Sequence, residues 1–285
     1  MKLISFFHQS GPSFGLVDGD KVFDLGVRMQ GVCASLEQAI QLGVLDRFPA
    51  MLKGATADYT QDEIVFAPVL PNPPRIFCAG LNYLAHRREG NRPDTEVPAF
   101  FLRLPESQVG HLRPMVCPIE SDQFDFEGEI AVIIGKGGRR ISTEQAFDHV
   151  VGTTCYNDGS VRDWQLATSQ WLPGKNFPST GAFGPWMVTA DELPPSQTTT
   201  LVTRLNGEEM QRTTTDLLTF SIPELISHIS AFTALRPGDV IVTGTPGGVG
   251  LRRTPPLFMK DGDVVEVEVE GVGVLRNPVV KEKSR

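Results

Sequence analysis

The chain has no CxxC pair, and its four cysteines, at positions 33, 78, 117 and 155, lie far apart. That spacing excludes the common zinc and dithiol motifs. It gives no disulfide framework in a chain of 285 residues, so free buried thiols in a reducing cytoplasm are expected. No apolar run approaches the roughly 18 residues of a membrane-spanning helix. The apolar stretch in Met1–His8 is too short and interrupted for a signal peptide, and a cytoplasmic location follows as the expectation. No basic tract offsets the formal net charge of −8, which argues against a nucleic-acid binder or an anionic-membrane binder. Lys281–Arg285 is a short charged tail expected to be solvated. There is no internal repeat and no G-x-G-x-x-G fingerprint. Gly244–Gly250 lacks the Lys-Ser/Thr pair of a phosphate loop. Gly11-Pro-Ser-Phe-Gly15 fits the G-x-S-x-G pattern, but strand-like residues follow where a nucleophile elbow needs a helix.

What is present is an ordinary globular composition, 40% hydrophobic and 21% charged, long enough for one large domain with or without a small one. Residues 1–70 read as a small N-terminal unit. Leu3–Phe7, Phe14–Val17 and Lys21–Leu25 look like strands, Asp18-Gly19-Asp20 like a turn, and Ser35–Gln38 like a capping-box helix start. Pro68, Pro71, Pro73 and Pro74 form a stiff link to the second unit, 71–285.

The chain is organised around Phe124–Gly135. The second half of that stretch is continuously apolar, as in a strand buried on both faces. Its first half carries Asp125, Glu127 and Glu129, and residues two apart on a strand share a face. Paired carboxylates beside a buried strand repel one another, so they share a cation or a proton, or else the strand entrance is solvated.

Other candidates flank this strand. Asn82 can cap a helix that puts His86 and Glu89 on one face at i, i+3, either as a carboxylate-held imidazole base or as a surface pair. Asn91–Pro98 reads as a loop, Phe100–Leu102 as a strand, and Ser142–Val150 as a helix. Val151–Tyr156 reads as a strand that ends at Asn157-Asp158-Gly159. Asp158 is there placed as a third ligand or as plain turn chemistry, and Ser160 can cap a helix carrying Arg162 and Gln165. Lys175 lies in a Gly-rich connection of the kind that usually leaves a lysine solvated. Asn206-Gly207 suits a type I′ hairpin turn, and Ser221–Leu235 is the clearest amphipathic helix, with His228 read as structural. Val265, Val267 and Val269 alternate with glutamates, as in a half-buried strand.

Taken in order, a set of motifs emerges: Gly80-Leu-Asn-Tyr with His86 and Glu89, Phe-Glu127-Gly-Glu129-Ile-Ala-Val-Ile-Ile-Gly-Lys, Asn-Asp158 with Arg162 and Gln165, Gly-Lys175, and Thr243-Gly-Thr-Pro-Gly-Gly-Val-Gly250. From about Arg75 to Asn277 this resembles the fumarylacetoacetate hydrolase family, in particular its acylpyruvate hydrolase-like branch. The resemblance implies an α+β, mainly β fold of rolled mixed sheets with a small N-terminal domain, in a homodimer. It implies Glu127, Glu129 and Asp158 as ligands of Mg2+ or Mn2+, with His86 and Glu89 as a water-activating pair. It places Arg162, Gln165, Lys175 and Thr245 around the carboxylate and oxo groups of a small carboxylic acid substrate, with Lys175 holding charge during catalysis. An all-carboxylate set is a hard-oxygen site, suited to Mg2+, Mn2+ or Ca2+ rather than zinc.

Three positions depart from the commonest family pattern and bear on pocket shape. Arg103 stands where lysine is frequent, and Gly128 and Gly159 stand where bulkier residues are. The leading expectation is a C–C hydrolase for acylpyruvate-type 1,3-dicarbonyl acids. The alternatives are a decarboxylase or tautomerase of 2-oxo acids on the same metal site, and a non-enzymatic ion-binding domain.

Overall fold

The computed structural model describes residues 1–9, 11–91 and 95–283. The expected loop at 91–98 and the terminal tail therefore lie partly outside the described residues. The central strand is Gly128–Ile134, buried along its whole length. Its two faces meet different partners, which is why the apolar run is unbroken. Ala131 and Ile133 pack into a core shared with Leu3, Phe14, Leu36 and Phe48. Ile130 instead packs against Val265 and Val267, and Val132 and Ile134 against the helix Ile222–Phe232.

This strand lies inside a 12-stranded mixed sheet, hydrogen-bonded to Val150–Asn157 on one side and Val240–Val242 on the other. The sheet continues from Val240–Val242 through a parallel neighbour, Ile76–Gly80, to Ala99–Arg103. In the other direction it runs through Gly181–Thr189 to Lys2–His8, Gly11–Asp18 and Lys21–Asp24. Pairing of Lys2 with Val188 and of Leu3 with Met187 carries the sheet's hydrogen bonds across the proline link. The Gly11–Gly15 pattern lies within a strand.

A second sheet of five strands packs on the first, in the order Glu208–Thr214, Thr200–Leu205, Val264–Val269, Gly273–Lys281 and Met115–Cys117. The Asn206-Gly207 hairpin forms as expected, with φ of 53° and 82° at its two central residues. Val265, Val267 and Val269 point into the core, and the intervening glutamates are half-exposed.

The helix Ile222–Phe232 starts at a full capping box between Ser221 and Glu224, and buries Leu225, Ile226 and Ile229. His228 stacks on Phe100, in keeping with a structural role. The helix read over Ser142–Val150 forms as a 3-10 helix, Thr143–His149. Two local readings are corrected. Tyr83 rather than Asn82 is the N-cap of the helix Leu84–Glu89, because the Asn82 amide donates to the Phe220 and Thr243 carbonyls. Ser160 caps no helix: Ser160–Val161 pairs as a short strand with Phe124–Asp125, and the Ser160 hydroxyl donates to the Asp158 carbonyl. No helix among the described residues is long and apolar enough to cross a membrane.

Candidate active site

The site forms where two paired strands end together. Gly128 pairs with Asn157, and beyond that pair the Asp158 amide donates to the Glu127 carbonyl at 2.8 Å. Strand alternation puts Glu127 and Glu129 on one face, and the extended register brings Asp158 alongside them. Glu127, Glu129 and Asp158 are all buried, and one oxygen from each lies within 4.8 Å of the others. Opposite oxygens on a Mg2+ ion are about 4.2 Å apart, and on Ca2+ about 4.6–5.2 Å. The spacing and the all-oxygen donor set therefore fit a hard divalent ion, and the three residues form an acidic metal site.

Three buried cations surround these carboxylates. The Lys175 ammonium donates to Glu127 Oε2 at 2.7 Å and to Asp158 Oδ2 at 2.6 Å. Arg162 reaches Glu127 Oε1 through Nη1 at 2.6 Å and Asp125 Oδ2 through Nε at 2.8 Å. Arg103 donates through Nη1 to Asp158 Oδ1 at 2.6 Å and to the Gly159 carbonyl, and through Nη2 to Thr180 Oγ1. Glu129 has no such cation among the described residues. It receives the Gly244 amide at 2.5 Å, from a glycine whose φ of +111° few other residues adopt.

The protonation behaviour follows from this asymmetry. Burial pushes Glu129 well above the usual carboxylate range, and the charges of Asp158 and Glu127 push it further. Burial opposes ionisation of Glu127 too, but Arg162 and Lys175 together outweigh it and hold that carboxyl low. For Lys175 burial favours the neutral amine, and the Asp158 and Glu127 carboxylates override it, so the ammonium persists. A divalent ion would let all three acids ionise at once, which is a second respect in which the donor set fits one.

The expected base stands at the same cleft. His86 lines it together with Glu127, Glu129, Asp158, Arg162 and Lys175, within a space of about 620 Å3. His86 Nδ1 is 3.0 Å from Glu89 Oε1, and the Gly248 amide donates to Glu89 Oε2 at 2.8 Å. The imidazole thus has one nitrogen held by a carboxylate that is itself held by the glycine loop, which leaves Nε2 for chemistry. Gln165 and Thr245 also line the cleft. The Gln165 amide oxygen accepts from Arg162 Nη1 at 2.8 Å. The Thr245 hydroxyl donates to the Gly128 carbonyl and accepts from Gln211, so its proton is directed at the metal-bearing strand.

Two contributors escaped the sequence reading. Asp125 accepts from the Phe126, Gly250 and Leu251 amides and from Arg162, and so ties the glycine loop to the arginine. Its place in the 125/127/129 alternation was the signal available. Gln211 bridges the Gly128 amide and Thr245, and nothing in the sequence marks it. The two unusual glycines sit where side chains do not fit. A Cβ on Gly128 would lie 1.9 Å from Thr203 Oγ1, and one on Gly159 would lie 2.0 Å from the Thr180 carbonyl.

Residues 75–280 match the family model described as the fumarylacetoacetate hydrolase C-terminal domain. Over 98% of its length the chain is 36% identical to a mitochondrial oxaloacetate tautomerase of Xenopus laevis, covering 90% of that protein. Among solved structures, a fumarylacetoacetate hydrolase from Exiguobacterium antarcticum superposes with a TM-score of 0.85 at 32% identity, covering 99% of this chain and all of that one. Maleylpyruvate hydrolase from Sphingobium, solved with manganese(II) and pyruvate, gives a TM-score of 0.83 at 28% identity, again over 99% of this chain and all of that one. With the acid trio, the fold and these likenesses agreeing, the chain is an enzyme that belongs to the fumarylacetoacetate hydrolase family.

Proposed function

We propose that this enzyme uses Mg2+ or Mn2+, with Ca2+ as a further hard ion the site accepts, to interconvert the keto and enol forms of a small 2-oxo acid of the oxaloacetate type. One observation carries the reading: a carboxylate-held imidazole, His86 with Glu89, lines the same cleft as the acidic metal site. Tautomerisation needs a group that takes a proton from carbon and returns it at oxygen, and needs no second reactant. When bound, the ion supplies a Lewis acid that makes the carbon next to the oxo group more acidic.

The chain's own residues have separable tasks in this scheme. Glu127, Glu129 and Asp158 hold the ion. Arg162 orients the carboxylate next to the oxo group, since its Nη2 is buried with no hydrogen-bond partner among the described residues. Lys175 keeps positive charge beside the oxygen that becomes anionic. His86 Nε2 removes the proton and returns it, with Glu89 fixing the tautomer. Support comes also from relatives named as oxaloacetate tautomerases, which align over 98% of this chain at 36% and 37% identity.

The second reading is the hydrolysis of a C–C bond in an acylpyruvate-type dicarbonyl. It is favoured by the same dyad, which can equally deprotonate water, and by the likeness to maleylpyruvate hydrolase. The two separate in one assay series. Enol oxaloacetate is followed by its ultraviolet absorbance, pyruvate release is followed in parallel, and an acylpyruvate is offered separately, all with Mn2+. Accelerated enol decay without pyruvate, abolished by chelator, is expected. Acylpyruvate cleavage without enol decay would replace the proposal with the hydrolase, and pyruvate release from oxaloacetate would replace it with a decarboxylase.

A further inference from the structure

Resting on the reading that a 2-oxo acid of the oxaloacetate type occupies this cleft, we propose that Arg252 is the specificity-determining residue that meets the carboxylate distal to the oxo group. Arg252 ends the short turn Gly250–Arg252 and lines the cleft while remaining exposed. The other cations of the cleft are buried and engaged: Lys175 with Glu127 and Asp158, Arg162 with Asp125 and Glu127. Arg252 forms no ion pair among the described residues.

Its neighbour makes the contrast plain. The Arg253 guanidinium is committed to the fold, donating to the Gly248 and Met210 carbonyls. Two arginines in succession thus have different roles, one bracing the glycine loop and one facing the cleft.

Asp125 fixes the distance between the deep and the outer arginine. One of its oxygens accepts the Gly250 amide, and the other accepts both the Leu251 amide and Arg162 Nε. A single buried carboxylate therefore anchors the side chain that meets the first carboxylate and the turn that carries Arg252. The cleft lining also includes Leu166 and Leu251, whose side chains offer an anion no donor. A linear diacid has an anion for each guanidinium. A monoacid with an apolar tail leaves Arg252 idle.

The test compares two 2-oxo acids of equal chain length, 2-oxoglutarate and 2-oxopentanoate, which differ in a distal carboxylate. Each is titrated calorimetrically into the Mn2+-loaded protein. The parent is expected to prefer 2-oxoglutarate by about tenfold or more, the scale of one charge-assisted contact. Arg252→Gln removes most of that preference by weakening 2-oxoglutarate binding alone, and Arg252→Lys restores part of it. A parent without preference, a variant that keeps it, or equal weakening of both acids would overturn the inference. Absence of binding of either acid to the parent overturns it together with the 2-oxo acid reading. A diacid preference in a protein that leaves enol oxaloacetate untouched keeps Arg252 in this role and removes only the tautomerase.

Discussion

The two halves of the site are held in place by very different means. On the metal side Glu127, Glu129 and Asp158 are buried at the ends of paired strands, and the first and last are each gripped by two cations. On the base side His86 rests on a six-residue helix, and its partner Glu89 is tied to the body of the protein by the Gly248 amide. The side chains of His86 and Glu89 are 12% and 23% exposed, against 6% or less for Glu127 and Asp158. An ion-binding site must exist before the ion arrives, so over-determination suits it. A base that must meet substrate needs access, and one latch is enough.

That contrast is broken most severely from the metal side. Asp158→Asn keeps the shape but removes a ligand charge and the partner of both Arg103 and Lys175. Mn2+ affinity should fall on the order of 10²-fold or more, by calorimetry. Because two buried cations lose their carboxylate, the metal-free protein should also melt at lower temperature. Unaltered Mn2+ affinity would remove Asp158 from the ion's ligands.

The base side should break independently. His86→Ala is expected to slow turnover by about 10²-fold, the lower scale for a general base, with Mn2+ affinity retained. Glu89→Gln should act in the same direction and more mildly, since Glu89 orients the imidazole and does not itself take the proton. Near-parental rates for both variants on the best substrate found would assign proton transfer to another group.

The smallest effect sharpens the comparison within the acid trio. Glu129 is raised and Glu127 lowered, so their contributions to stability run oppositely with pH. The folded protein keeps the Glu129 proton to higher pH than the unfolded chain does. That stabilisation is complete below the unfolded carboxylate value of about 4.3 and is lost as pH rises through the raised folded value. Glu127 contributes above that unfolded value and loses its contribution as pH falls through its lowered one. Chelator-treated protein should therefore show a Tm that declines as pH rises from about 4.3 toward the raised Glu129 value, and Mn2+ should flatten the decline. Calorimetry in buffers of different ionisation enthalpy should register proton release on Mn2+ binding near the raised value. Identical pH profiles with and without the ion would contradict this account of Glu129.

How much of this was legible beforehand depended on distance along the chain. The Glu127–Glu129 spacing and the apolar run after it are local, and both read correctly because strand alternation is a property of neighbours. The Asn206-Gly207 turn and the Ser221 capping box are local in the same way. Asp158 required the pairing register of Gly128 with Asn157, which no short window contains. Lys175 looked like a solvated loop lysine until the family resemblance gave it a role, and its burial comes from tertiary packing. The misread caps have a common cause. Asn82 and Ser160 have the chemistry of helix caps, but carbonyls more than a hundred residues away claimed Asn82, and pairing with Phe124–Asp125 claimed Ser160. Arg103 stood out as a departure from pattern, without any hint that it grips Asp158.

The glycine between the two glutamates has a wider consequence. The absent side chain of Gly128 leaves the space that Thr203 of the second sheet occupies, so positions 128 and 203 share one volume. Any larger residue at 128 displaces either the five-stranded sheet or the strand end that sets the separation of Glu127 and Glu129. A larger side chain at 128 is therefore expected to be tolerated best together with a smaller one at 203. A change at 128 unaccompanied at 203 would surface as a defect in ion binding, although neither residue offers the ion an atom.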